Sequence, residues 1–106
     1  MSLADTKCTP CKGGVEPLAG EELANYHQQV PSWELVEGKR ITRTWKFPDF
    51  AQALEFVNRA AALAGQEAHH PWIHFTWGIV RIELWTHKIK GLHPSDFILP
   101  AKIDRL

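Results

Sequence analysis

The chain has no excess charge of either sign: twelve lysines and arginines balance twelve aspartates and glutamates over 106 residues. Without a basic surplus there is no field to gather nucleic acid, and without a polybasic run nothing to hold an anionic membrane. Long hydrophobic runs are also missing. No apolar stretch approaches the roughly 20 residues that a bilayer span requires. The N-terminus lacks a charged start followed by an apolar segment, so no secretory signal is expected and a cytoplasmic location is. Cysteine is scarce: Cys8 and Cys11 stand alone, in Cys8-Thr9-Pro10-Cys11. Two thiols cannot complete a tetrahedral zinc site. A redox pair of this spacing normally opens a helix after a strand, whereas this one sits in a Gly/Pro-rich tail. There is no Gly-x-Ser-x-Gly elbow, which disfavours serine-type nucleophilic catalysis. No internal repeat is found.

What is present is ordinary globular composition, with 44% apolar and 23% charged residues. The length suits one domain, which buries roughly 60–70% of its unfolded surface. Five tryptophans are many for this size. They point to a pocket or a subunit interface as well as a core.

Residues 1–17 show little periodicity and read as an extended or mobile arm, leaving 18–106 as one domain. Glu21 to Gln29 reads as a helix, with Leu18, Leu23, Tyr26 and Val30 near one face and Pro31 as the stop. His27 within it reads as a solvated or boundary histidine. Trp33 to Val36 and Arg40 to Phe47 alternate as strands around a Glu37-Gly38 turn. Asp49 to about Ala64 is the strongest helical pattern. Asp49 can cap it with Gln52 as partner, the stripe is Phe50, Ala53, Leu54, Val57, Ala61 and Ala64, and Gly65 is the natural stop. Trp72 to Trp77 and Ile79 to Thr86 form a second strand pair. Val80, Ile82 and Leu84 point one way, and Arg81, Glu83, Trp85 and His87 the other. His93 and Pro94 open a last helix that Pro100 should bend or interrupt. The order helix–strand–strand–helix–strand–strand–helix argues an α+β domain whose antiparallel sheet carries helices on one face.

Three of the six histidines fall in two short blocks, Glu67-Ala68-His69-His70-Pro71 and Thr86-His87, with Asp96 nine residues later. Histidine exchanges protons near neutrality, so three that converge suggest acid–base chemistry, a metal site or polar binding. Zinc needs three convergent ligands and an open position. His69, His87 and Asp96 supply such a set on paper, but adjacent histidines diverge on any regular element, and no metal is expected. The bland alternative is a polar helix exit at His69-His70 and a strand-end His87 satisfied by Asp96. Together, with Trp85 beside His87, the residues favour a site.

His69-His70-Pro71, Trp77, Thr86-His87 and Asp96 resemble the signature of the pterin-4a-carbinolamine dehydratases. Five residues separate Pro71 from Trp77, nine separate Trp77 from His87, and eight separate His87 from Asp96. Ile82 to His87, Asp96 to Leu99, Ala101 to Asp104, Lys7 to Cys11 and Val30 to Trp33 are similar to the plant and bacterial branch of that family. The resemblance implies a four-stranded antiparallel sheet with helices on one face, assembled as a homodimer or homotetramer. It implies removal of water from 4a-hydroxytetrahydropterin to give the quinonoid dihydropterin, with no cofactor and no metal. His69 and His87 would be acids at the leaving hydroxyl, and His70 the base or pterin anchor. Asp96 would orient His87, and Pro71, Trp77, Trp85 and Glu67 would line the pocket. Two departures stand out. Gly65 occupies the position, four before His69, where the family carries an acidic or polar residue, and Ile73 replaces a frequent aromatic. Some dehydratase-like proteins serve instead as RuBisCO assembly factors with altered sites, so RuBisCO subunits are a second partner class, and carboxysomal or organellar placement is compatible with it.

Overall fold

The computed structural model describes residues 3–9 and 13–106. Helix α1 spans Gly20–His27, strands β1 Glu34–Val36 and β2 Arg40–Lys46 follow, then helix α2 Phe50–Glu67, strands β3 Trp72–Thr76 and β4 Ile79–Leu84, and helix α3 Ser95–Ile103. The four strands form one sheet in the order β1-β2-β4-β3, every neighbour antiparallel. Both hairpins are local, and the central β2–β4 pairing joins them. The α+β class expected from the element order is the one observed.

Strand alternation decides which side is covered. Ile41, Val80, Ile82 and Leu84 are fully buried, while Thr44, His74 and Arg81, one residue out of phase, are exposed. The covered side meets Ala53, Phe56, Ala60 and Ala64 of α2 and Phe97, Leu99 and Ile103 of α3. Alanines on α2 let its backbone approach the sheet closely. The expected α2 stripe is therefore rotated. Ala53 and Ala64 are inside, but Phe56 and Ala60 complete the buried row, and Phe50 and Leu54 remain 49% and 38% exposed.

Strand ends and α1 shift by one or two residues from expectation, and three larger differences stand out. Gly65 does not end α2, which runs on to Glu67. The stop is Ala68, in the left-handed region at φ 54°, with its N–H donating to the Gly65 carbonyl and the His69 N–H to the Ala64 carbonyl at 3.1 Å. This paired closure satisfies carbonyls that the helix end leaves open. Strand β4 ends at Leu84 rather than Thr86, and His87 opens a single 3₁₀ turn, His87–Ile89. Pro100 does not interrupt α3, which continues to Ile103. The N-cap of α3 is Pro94 rather than His93, which stands one residue earlier and accepts the Ser95 N–H on Nδ1 at 3.1 Å.

The N-terminal arm is docked where it is described. Cys8 is buried, its N–H donates to Glu67 Oε1 at 3.0 Å, and Thr9 and Ser95 exchange two hydrogen bonds of 2.9 Å. Lys102 Nζ donates to the Ala4 carbonyl at 3.0 Å. The reading of a loose arm is thus corrected for residues 3–9. Cys11 lies outside the described residues, and so does the Cys8–Cys11 pair as a unit.

Candidate active site

The closure of α2 places His69 one residue beyond the left-handed Ala68, with its backbone already fixed. Its ring turns to α3, where Nε2 lies 2.7 Å from Asp96 Oδ1. Asp96 is fully buried. Its second oxygen accepts from Thr86 Oγ1 at 2.6 Å and from the His93 N–H at 2.9 Å. Three donors around one buried carboxylate form a connected polar network, and no buried polar side-chain atom among the described residues lacks a partner. An ionised carboxylate only accepts, so His69 carries its proton on Nε2, and Nδ1 is the nitrogen left for proton exchange.

His87 is held differently. The expected Asp96–His87 bond is not formed: the Asp96 oxygens accept from His69, Thr86 and the His93 backbone instead. The His87 ring instead stands edge-on to Trp85, centroids 5.0 Å apart, and Trp85 stacks on Trp72 at 5.6 Å. Its backbone position comes from a tight turn closed by Thr86 and Gly91, with Thr86 N–H to Gly91 carbonyl at 2.7 Å. Gly91 is required there, since a Cβ would lie 2.5 Å from the Pro17 ring.

These elements enclose a cleft of about 480 Å³ lined by Ala68, His69, His70, Trp85, Thr86, His87 and Lys88. The volume lies within the range of small-ligand sites, roughly 300–1,000 Å³. Three imidazoles thus share one cavity although two come from a helix exit and one from a strand exit. No group of three His, Cys, Asp or Glu side chains arranged to hold a metal occurs among the described residues.

Other candidate residues fall elsewhere. Trp77 lies at the β3–β4 turn, the far end of that hairpin from His69, and is 65% exposed beside Lys46, Phe47 and Ile79. Within one chain it does not wall the cleft. Glu67 turns away to the N-terminal segment, accepting from Cys8 and lying 3.9 Å from Lys102 Nζ. Its carboxyl is held below the usual range, chiefly by the Cys8 backbone N–H. Pro71 is half-buried between His70 and β3. Gly65 is exposed in the last turns of α2, with open space where a Cβ would stand. Sequence reasoning passed over Thr86 as a ligand of Asp96 and Trp72 as the support of Trp85. The first was legible as a hydroxyl beside His87, the second as a residue in phase with Thr76 on the open face.

A family model for pterin 4 alpha carbinolamine dehydratase matches residues 16–106. The chain belongs to the pterin-4a-carbinolamine dehydratase family. A Rubrobacter xylanophilus protein is 51% identical over 104 residues, 98% of this chain and 97% of its own length. A Rickettsia bellii protein is 50% identical over 106 residues, 99% of this chain and 94% of its own. Both bear the name pterin-4-alpha-carbinolamine dehydratase provisionally. Among solved structures, the transcriptional coactivator/pterin dehydratase of Brucella melitensis superposes with a TM-score of 0.77 at 30% identity. It covers 85% of this chain and 97% of that one. The docked segment 3–9 lies outside the part matched by the dehydratase family model, whereas these two curated dehydratase relatives align over nearly the whole chain.

Proposed function

We propose that this protein dehydrates 4a-hydroxytetrahydropterins to quinonoid dihydropterins. The observation that carries the reading is the convergence of His69, His70 and His87 on one cleft, with His69 tied to the buried Asp96. The reaction breaks the C4a–O bond, releases the hydroxyl as water and removes the N5 proton. One group must give a proton and another must take one. Imidazoles suit both roles near neutral pH. His69 and His87 stand on opposing elements of the cleft and serve as acids at the leaving hydroxyl, while His70 takes the N5 proton or anchors the ring. Asp96 holds the His69 ring by its Nε2 and leaves Nδ1 as the nitrogen that exchanges its proton. Trp85 supplies an aromatic wall and supports His87.

Gly65 offers no side chain where the family carries an acid or polar group. Loss of one hydrogen bond at a transition state costs about 1–3 kcal/mol, or roughly 10- to 100-fold in rate. We therefore expect turnover slower than in relatives with the acid, not its abolition. Loss of the carbinolamine, followed against its spontaneous dehydration, tests this with three proteins. Wild type exceeds background, His70→Ala falls toward it, and Gly65→Glu gains rate because its Cβ meets open space. A wild type no faster than buffer refutes the dehydratase reading. The missing acid then favours the second reading, a RuBisCO assembly factor, which requires that co-expression raise the yield of assembled RuBisCO.

A further inference from the structure

We propose that the site takes pterins whose C6 side chain carries a carboxylate or phosphate, and that Lys39, Arg40 and Lys90 form the subsite for that anion. The proposal rests on the dehydratase reading and adds a substrate class to it. Beside the histidine cleft lies a second cavity of about 360 Å³, lined by Glu37, Lys39, Arg40, Trp85, His87 and Lys90. Trp85 and His87 line both cavities, so the two are neighbours across these side chains. The chain as a whole is neutral, yet this cavity presents three cations against one acid. Lys39, Arg40 and Lys90 make no ion pair with any described residue, and neither do Lys7, Lys46, Arg81 and Lys88, whereas Arg43, Arg59, Lys102 and Arg105 each have a carboxylate partner; what distinguishes the first three is that they share one cavity.

Two tight turns bring these cations together. Glu37 and Gly38 both have positive φ, 54° and 68°, and Lys39 N–H closes that turn on the Val36 carbonyl at 3.0 Å. This turn aims Lys39 and Arg40 at the end of β4. From the other side, Lys90 sits left-handed at φ 53° and closes on the His87 carbonyl at 3.1 Å. The fused pterin ring needs the histidines, so the substituent is what reaches past Trp85 and His87. Three cations without ion-pair partners, held on ordered turns around one cavity with a single acid, favour an anion there.

The test compares 4a-hydroxy derivatives of 6-methyltetrahydropterin, with a neutral side chain, tetrahydrofolate, with carboxylates, and tetrahydroneopterin phosphate. Exposed charge pairs are individually weak, so three together predict a preference of roughly five- to tenfold in kcat/KM for the anionic substrates, expressed in KM. The preference shrinks toward one at about 1 M salt. It also falls toward one in Lys39→Gln/Arg40→Gln/Lys90→Asn, and in the gentler Lys39→Gln/Lys90→Asn should the half-buried Arg40 prove necessary for folding. Asparagine is chosen at Lys90 because it tolerates the left-handed conformation. A preference for carboxylate alone or phosphate alone identifies the anion. Equal efficiency for neutral and anionic side chains in the wild type overturns the proposal, as does a preference that survives both variants. If no pterin is dehydrated, the dehydratase reading fails by itself. Equilibrium binding of the oxidised pterins then decides the subsite, and equal affinity for neutral and anionic forms overturns it.

Discussion

Asp96 is the residue on which most of the site depends. It is fully buried and accepts from His69, Thr86 and the His93 backbone. Asp96→Ala leaves three donors facing a void and is expected to destabilise by roughly 3–5 kcal/mol in chemical denaturation. Asp96→Asn keeps the volume but turns an amide donor toward at least one of those donors. If the protein folds, kcat should fall roughly 10- to 100-fold while KM changes little, because the positioning of His69 is lost rather than binding area. An unchanged kcat would remove His69 from the acid–base roles. Ala68 is the other critical residue at this scale. A left-handed alanine costs about 1–2 kcal/mol, and the sequence offers the more permissive glycine three residues earlier, at Gly65. The helix stops at Ala68 because that register lets His69 reach Asp96 and Glu67 reach Cys8.

Among elements, the N-terminal segment ties α2 to α3 close behind the histidines. Cys8 bonds Glu67 at the end of α2, Thr9 bonds Ser95 at the start of α3, and Ser95 precedes Asp96. Burial first, and then the negative charge of Glu67, pushes the Cys8 thiol up to about 11. A thiol so protonated at neutral pH is a poor nucleophile. Native Cys8 should therefore resist iodoacetamide at pH 7.5 and react once the protein is unfolded. The segment's contribution to stability has two limits. Glu67 titrates below its ordinary value of 4.5 in the fold, so the stability it contributes is full above that pH and is lost as pH falls through the lowered value. Cys8 titrates above its ordinary 9.0, so its contribution is full below that pH and is lost on rising through about 11. Protection factors of the Cys8 and Thr9 amides, corrected for the intrinsic pH dependence of exchange, should be highest between those limits, and Glu67→Ala should lower them across the whole range. Exchange at these amides that matches unstructured peptide at pH 7 would contradict the docking.

At the scale of the molecule, apolar surface is left over. Phe50 stacks on Phe75 yet is 49% exposed, Leu54 is 38% exposed, and Trp72, Trp77 and Ile79 add to the surface of the β3–β4 hairpin. Strand β3 is also a sheet edge with unpaired backbone groups. Exposed apolar residues beside an open edge invite self-pairing. We expect sedimentation at micromolar concentration to give a dimer or tetramer of the 12.1 kDa chain. Leu54→Glu should shift the distribution toward smaller species if the α2 face is used, and leave it unchanged if the β3 edge alone is used. A wild-type mass near that of one chain would refute self-association.

The sequence by itself determined the element types and their order, because alternation in Arg40–Lys46 and Ile79–Leu84 and the period of Phe50–Glu67 are local properties of neighbouring residues. It also singled out the histidine blocks as a candidate site, through residue chemistry and spacing, and the three rings line one cleft. The tertiary structure decided which partner each side chain takes. Asp96 lies nearer His87 in the chain, and sequence reasoning joined those two. In space, the start of α3 faces the exit of α2, so the carboxylate meets His69, while the 3₁₀ turn carries His87 against Trp85. Trp77 belongs to the motif by spacing but sits at the opposite end of its hairpin, because a strand of five residues, Trp72–Thr76, separates it from Pro71. Glu67 faces the N-terminal segment for a similar reason: the stop at Ala68 turns the chain between it and His69. Spacing along a chain fixes which residues are close only within one element; between elements, packing and helix-end geometry choose.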